Sequence, residues 1–532
     1  MKPRNLLFLA LIIAIMVRLI PVIIYSTPFS TDSWPLICLS EKLIRSPTNH
    51  IFNDTYYDGY NNHWPGVILF SSTASIVTEI KPIILMPLLV PTVNVLSMIF
   101  IVLLVSRYNG SREAIFSALA LAVIPPLIVF TSAATKEGFA HPLFVMLIYL
   151  ALKPVWRKAE VLVSLLASLT LVLSHHLTTF MYIYIILTTL LVASLSSVKT
   201  NIKLKTSVYP LLFVFVFAII HHLVIGPGVF RIAATPRDIL TLFLYTILFT
   251  MPIVLFGKAP NNGQSSTRFT IPYKPLFIVV IVFAVVVYAS TYSPAPGIPS
   301  LGQSVLYYSI PYIIVPIAFW YTYRQCFIEK SKLIVFLIAW TMGCFSIIAY
   351  LLFADNPLGA SAIHRVIDFM DFPLAISIGF VSSRLFNTAS TLFQRILGVV
   401  LVFLAVLSGI SVMSLIVSRN DTVSFYWLYN KAEFYAGLYV KEYVGNMSIT
   451  GDAKIDYLFK YFEINVYPTP LIRLVVDGVA EDNTLYILYR ENYSKGIVQA
   501  LMIFSLSKQC IEILEKDTNR VYDSSMVNMY IG

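Results

Sequence analysis

Three short clusters in this 532-residue chain carry residue types spaced for chemistry. The first is Phe29-Ser-Thr-Asp32-Ser-Trp34, directly after a long apolar run. A carboxylate one turn past a helix end sits where lipid meets water, and partial desolvation there raises its basicity. Such a group suits a general base that takes the proton of an acceptor hydroxyl, although an ordinary cap or turn aspartate has the same spacing. The second cluster is Thr131-Ser-Ala-Ala-Thr-Lys136-Glu137-Gly-Phe-Ala-His141. A cation for a phosphate, a second acid and an imidazole fall within two helical turns; a helix dipole accounts for Glu137 but not for Lys136. The third is Ala362-Ile-His364-Arg365-Val-Ile-Asp368, where Arg365 either grips a lipid phosphate or pairs with Asp368 along the helix.

Further candidates are single or paired residues. Arg18 lies inside the first apolar run, where a cation needs an anionic partner or a polar cavity, or else snorkels to the surface. His175 and His176 are adjacent, as are His221 and His222. Adjacent rings diverge on a helix, which favours hydrogen bonding or phosphate contact over a metal cage. A divalent cation held by Asp32, Glu137 and a histidine stays open as an alternative to direct bonds among them. Asp54 and Asp58 lie in a Tyr- and Asn-rich loop and read as structural.

The elements that must position these groups are membrane helices. The chain is 58% hydrophobic and 12% charged, about half the charge of a soluble domain, and a soluble fold of this size cannot cover so much apolar surface. Its net charge of +10 is unevenly placed and is no nucleic-acid signature. Four separated cysteines form neither a disulfide framework nor a metal motif. Spanning-length runs begin near residues 6, 83, 114, 138, 161, 178, 208, 238, 275, 305, 333, 368 and 396, the first read as a retained helix rather than a cleaved signal. Residues 65–80 read as an interfacial helix. From Arg419 onward 25 of 114 residues are charged, against 39 in the preceding 418, and strand-like alternation at Leu485–Tyr489 marks a small water-soluble α/β domain. The organisation expected is an α-helical polytopic membrane domain, residues 1–418, of about 13 transmembrane helices with a long first outer loop (27–81), and an extracytoplasmic domain, residues 419–532.

Sidedness follows from the basic residues. With the N-terminus in the cytoplasm, 18 lie inside and seven in outer loops, which puts the C-terminal domain outside a plasma membrane. This requires the run 161–196 to turn at Ser174-His-His-Leu-Thr-Thr179. Ten of the 13 acidic residues before residue 419 and all eight histidines then gather at the outer side. Asn53-Asp-Thr55, Asn420-Asp-Thr422, Asn446-Met-Ser448 and Asn492-Tyr-Ser494 are glycan-acceptor patterns on that side.

An arginine in the first span followed by an outer-loop aspartate resembles the C-type (GT-C) membrane glycosyltransferases. These include protein O-mannosyltransferases, lipid-A aminoarabinose transferases and oligosaccharyltransferase catalytic subunits. The long first loop with Trp64-Pro-Gly66, the acid in the second outer loop, the late arginine and the outer C-terminal domain are similar too; Ser174-His-His-Leu-Thr178 and Tyr522-Asp-Ser resemble archaeal-type members. The resemblance implies transfer of a sugar from a polyprenyl (dolichyl) phosphate carrier to a glycan, glycolipid or protein acceptor, with inversion. It implies Asp32 as catalytic base, Glu137 as second acid and Arg365 near the lipid phosphate, with Lys136 and Arg365 stabilising the departing phosphate; Arg18, His141, His175 and His176 are the further substrate-binding candidates that the residues themselves suggest. Two departures stand out. Asp32 is followed by Ser33 where mannosyltransferase-like members often have a second acid, and no Trp-Trp-Asp-Tyr-Gly motif occurs in the tail. A lipid flippase or transporter also needs many helices, but calls for mid-membrane charges and repeat symmetry, and no repeat is visible.

Overall fold

In lipid, a backbone must close its hydrogen bonds within the segment, so these apolar runs fold as helices. The computed structural model describes residues 3–195, 204–225, 236–256, 332–353, 359–388, 406–419 and 422–532, short of a few single positions. In chain order the first part comprises α1 (Pro3–Tyr25), α2 (Ser33–Arg45), α3 (Gly66–Thr78), α4 (Pro82–Asn94), α5 (Leu96–Tyr108), α6 (Ser111–Val123), α7 (Leu127–Thr131) and α8 (Lys136–Leu152). It continues with α9 (Lys158–Ser174), α10 (His176–Leu195), α11 (Leu204–Val224), α12 (Pro236–Phe256), α13 (Lys332–Phe353) and α14 (Gly359–Thr388). Among the described residues five helices are long and apolar enough to cross a membrane: Asn5–Tyr25, Pro82–Tyr108, His176–Ser194, Leu333–Phe353 and Ala362–Arg384. The runs expected near 275 and 305 lie outside the described residues, and the run near 396 is described as a helix only over Val406–Ser418.

Helix breaks fall where the sequence forces them. Ile124 is extended (ψ 122°) because Pro125 follows it, so α6 stops and the short α7 restarts at Leu127. The Leu127 N–H is satisfied by Asp371 Oδ2 at 3.0 Å. His175 is extended (φ −159°, ψ 122°) between α9 and α10, so the long apolar run is broken within the Ser174–Thr179 stretch. The stretch read as interfacial folds as α3, whose Gly66 lies so close to α9 that a Cβ there would be 2.3 Å from Ser174 Oγ. Leu69, Ile76 and Val77 on α3 remain exposed. At the crossing of α6 and α14, a Cβ on Gly379 would lie 2.5 Å from the Ser117 backbone N, so only glycine lets the two helices touch.

The C-terminal part contains α15 (Thr422–Trp427), α16 (Lys431–Tyr443), α17 (Ala453–Tyr461), α18 (Pro468–Asp477), α19 (Asn492–Lys495) and α20 (Lys508–Asp517). Its strands are β1 (Ser448–Thr450), β2 (Thr484–Tyr489), β3 (Ile497–Gln499), β4 (Met502–Phe504), β5 (Asn519–Asp523) and β6 (Val527–Ile531). They form a sheet ordered β1-β2-β6-β5, parallel only at β1/β2, and a separate β3-β4 pair. The strand read at Leu485–Tyr489 is β2, and all six of its residues are buried. Leu485, Ile487 and Tyr489 pack in one apolar layer and Tyr486 and Leu488 in another, as in a strand covered on both faces. Asn492 is likewise no glycan acceptor in the folded protein, since it is fully buried and its Nδ2 donates to Asp452 Oδ2 (3.0 Å) and the Gly496 carbonyl. Asn420 and Asn446 lie outside the described residues.

A buried ionic cluster lies within this part, and hydrogen bonds beside it reach the residues that follow α1. Glu433 receives Arg419 at 2.9 Å and Lys454 at 2.8 Å, and Lys454 is boxed by Phe425, Tyr429 and Tyr489. Burial pulls the Lys454 ammonium down to about 8. Next to it, Thr27 Oγ1 donates to the Tyr429 carbonyl (2.6 Å) and the Ser30 N–H to the Trp427 carbonyl (2.8 Å). The segment leading to Asp32 is thereby held against the end of α15.

Candidate active site

Asp32 stands at the N-cap of α2, yet its carboxylate caps nothing. It turns instead toward Arg365 of α14, whose Nη2 lies 3.4 Å from Asp32 Oδ2. Arg365 Nη1 lies 3.9 Å from Glu137 Oε2, so one guanidinium spans both carboxylates. The cap reading of Asp32 and the Arg365–Asp368 pair are therefore both superseded; Asp368 is fully buried and its carboxylate makes no hydrogen bond among the described residues. Thr135 caps α8 by accepting from the Gly138 N–H, which leaves Glu137 free to face Arg365.

The approach of Asp32 to Glu137 rests on Ser33. Its Oγ donates to the Phe29 carbonyl (2.6 Å) and accepts from the Ala134 N–H (3.2 Å), tying the start of α2 to the start of α8. Asn94 Nδ2 pins the same turn through the Gly138 carbonyl at 2.9 Å. A second acid at position 33 could not replace this hydroxyl, because a carboxylate has no proton to give the carbonyl. Ser33→Ala is expected to slow any reaction at Asp32 roughly tenfold, the worth of a buried hydrogen bond, with little change in binding of a ligand held by Lys136. Initial rates and ligand titrations on the purified variant check it.

Lys136 opens α8 and is buried, with its ammonium 4.3 Å from the Tyr60 ring and 5.1 Å from the Trp64 ring. It makes no hydrogen bond and no ion pair among the described residues. Asp32, Lys136, Glu137, His175 and Arg365 line one cleft of about 620 Å³ together with Asp58, Tyr60, Tyr457, Lys460 and Asn465. His141 lies behind Glu137, its Nε2 3.7 Å from Oε1. His175 is buried with Nδ1 2.8 Å from Thr178 Oγ1. His176 packs at a tilt on Trp64 (4.7 Å between centroids), and His221 Nε2 reaches the His63 carbonyl at 2.8 Å, so these rings anchor the first loop to α10 and α11. Arg18 stays out of the cleft and does not snorkel; Nε donates to Thr131 Oγ1 (2.8 Å) and Nη1 to the Ala122 carbonyl (3.1 Å), bridging α1, α7 and α6.

Tyr60, Tyr457 and Lys460 escaped the sequence reading. Tyr457 comes from α17, which is docked on α2 by Tyr461 Oη donating to Glu41 (3.2 Å) and by an ion pair between Lys42 and Glu463 at 3.1 Å. The Asp32 carboxylate is the first cause that raises the Tyr457 phenol above its usual range, and burial raises that of Tyr60. Both phenols therefore stay protonated and can donate to a sugar or phosphate oxygen.

No protein-family model matches the chain, and no curated protein is similar to it in sequence. Among solved structures, the oligosaccharyltransferase of Archaeoglobus fulgidus in its apo form is similar over 92% of this chain and 70% of that one, with a TM-score of 0.58 at 13% identity. The same protein in complex with Zn and sulfate gives 0.58 at 15% identity (92% and 68% covered). Tethered to an acceptor peptide containing the NVT sequon, it gives 0.56 at 13% (92% and 69%). The chain shares the overall fold of that oligosaccharyltransferase. Likeness at this identity concerns the fold alone, and a mannosyltransferase-like subtype does not follow from it. The metal-bound neighbour makes the donor set here worth testing against a cation. Arg365 fills the space between Asp32 and Glu137, and His141 faces the opposite oxygen of Glu137. Among the described residues no three His, Cys, Asp or Glu side chains gather around one point, so the donors do not fit a divalent ion.

Proposed function

We propose that this chain is a membrane glycosyltransferase that moves a sugar from a polyprenyl (dolichyl) phosphate carrier to an acceptor hydroxyl at the outer face, with inversion. The observation that carries this reading is the cleft itself: two carboxylates, a guanidinium and an ammonium without an ion pair meet beside helices long enough to span a membrane. Asp32, with 41% of its side chain exposed, takes the proton of the acceptor hydroxyl and passes it to water. The acceptor oxygen bonds to the anomeric carbon on the face opposite the phosphate. The bond from that carbon to the phosphate oxygen breaks, and its electron pair leaves with the phosphate. A carrier joined through one phosphate bears one negative charge there, which the Lys136 ammonium matches as charge builds on the leaving group. Glu137 holds Arg365 in place between them. The topology belonging to this reading is a plasma-membrane protein of about 13 spans, with residues 1–418 in the bilayer, the N-terminus in the cytoplasm and residues 419–532 outside.

Purified protein incubated with radiolabelled polyprenyl-phosphate sugar and a membrane extract tests it. Label appearing on a new acceptor is the expected result; unchanged donor carried between leaflets selects the flippase. Label transferred to a peptide containing Asn-Val-Thr selects the oligosaccharyltransferase-like alternative, a reading favoured by the solved structures that share this fold.

A further inference from the structure

Two facing carboxylates in a partly buried cleft repel each other unless a cation lies between them. The cation between Asp32 and Glu137 is the Arg365 guanidinium, which reaches both through separate nitrogens at 3.4 and 3.9 Å. With Lys136 beside them, two negative charges are matched by two positive ones. The other acids of the cleft are engaged elsewhere. Asp58 accepts from the backbone N–H groups of Tyr60 and Asn61, and Glu463 pairs with Lys42. A divalent ion entering here would have to displace a guanidinium and sit beside two cations, with no third His, Cys, Asp or Glu converging on it among the described residues.

We infer that Arg365 takes the place of a divalent cation at this centre, holding Asp32 and Glu137 as a fixed pair and excluding metal from the gap between them. Its consequence for turnover rests on the glycosyl-transfer reading, and is a reaction that proceeds without added metal. The exclusion of metal stands on the carboxylate geometry alone. An arginine suits this position because its planar fork addresses two carboxylates at once and stays charged at every accessible pH. A lysine in its place keeps the charge but loses the second arm.

The test is Mn²⁺ binding to the full-length, detergent-purified protein, read by the electron paramagnetic resonance signal of free Mn²⁺ and requiring no turnover. Wild-type protein is expected to show no saturable site, and Arg365→Gln, checked for a monodisperse elution profile, to bind Mn²⁺ at least tenfold more tightly. Arg365→Lys, which retains the positive charge, serves as the second variant and is expected to stay within threefold of wild type. One saturable Mn²⁺ site in the wild type that is lost in Asp32→Asn would overturn the inference, as would an Arg365→Gln protein that is folded and binds no better than wild type. In the label-transfer assay, a rate unchanged within twofold by EDTA is expected, and a rate abolished by EDTA and restored by Mn²⁺ would also overturn it. If no transfer is seen under any condition the functional reading fails, while the Mn²⁺ titration still decides the question of the gap.

Discussion

Asp32→Asn is expected to lower sugar transfer by about 10²–10⁴-fold, the contribution of a positioned general base, while the protein still inserts and folds. The carboxylate is the only part of this side chain the account uses. It caps no helix and is partly exposed, so an amide of the same shape removes proton acceptance without opening a cavity. The local tether runs through Ser33, which the substitution leaves intact. Donor binding is expected to change little, because Lys136 supplies the phosphate contact. The check is a pair of measurements on one preparation: transfer rate with labelled donor, and donor affinity by competition. Wild-type-like transfer by this variant would take Asp32 out of the mechanism.

The second large effect is expected for Lys136→Met. Methionine keeps an unbranched stem against Tyr60 and Trp64 and loses only the charge. A buried ammonium without a hydrogen bond is costly unless a ligand supplies the partner, and a phosphate does so. Loss of one group that stabilises developing charge lowers kcat by about 10²–10³-fold. Because Lys136 also meets the phosphate in the ground state, donor KM is expected to rise as well. The variant is expected to be at least as stable as wild type, since it removes a buried charge with no counter-ion bonded to it. Steady-state kinetics and thermal unfolding of the same sample separate the two effects. A variant with unchanged kcat and KM would place the phosphate elsewhere.

How much of this was visible in the residues depends on what each one had to contrast with. Charged groups at the ends of apolar runs stand out against lipid, so Asp32, Lys136, Glu137 and Arg365 were legible, and the structure brings these four into one cleft. The turn at His175 was legible from sidedness alone, because a continuous helix there would have put later basic loops on the wrong side. Arg18 was legible as a buried cation but not in its role. A threonine hydroxyl and two backbone carbonyls satisfy it, and neither leaves a trace in a charge pattern. His176, read as a substrate contact, packs on Trp64, a neighbour that no charge pattern shows. Tyr457 could not be found from sequence. It is one of 32 tyrosines, more than four hundred residues from Asp32, and only the docking of α17 on α2 brings it there. The strand at β2 was legible but its burial on both faces was not, since what covers a sheet is a tertiary fact that a period-two pattern does not encode.

The claim on which the rest depends is that a carrier phosphate sits between Lys136 and the Asp32–Arg365–Glu137 group. A structure of the protein bound to a short-chain polyprenyl phosphate measures this directly. The account predicts phosphate oxygens within hydrogen-bonding distance of Lys136 Nζ and near Arg365, with Asp32 on the side of the cleft open to an acceptor. Phosphate bound away from that cleft, with Lys136 still boxed by Tyr60 and Trp64 and touching no ligand atom, would contradict it.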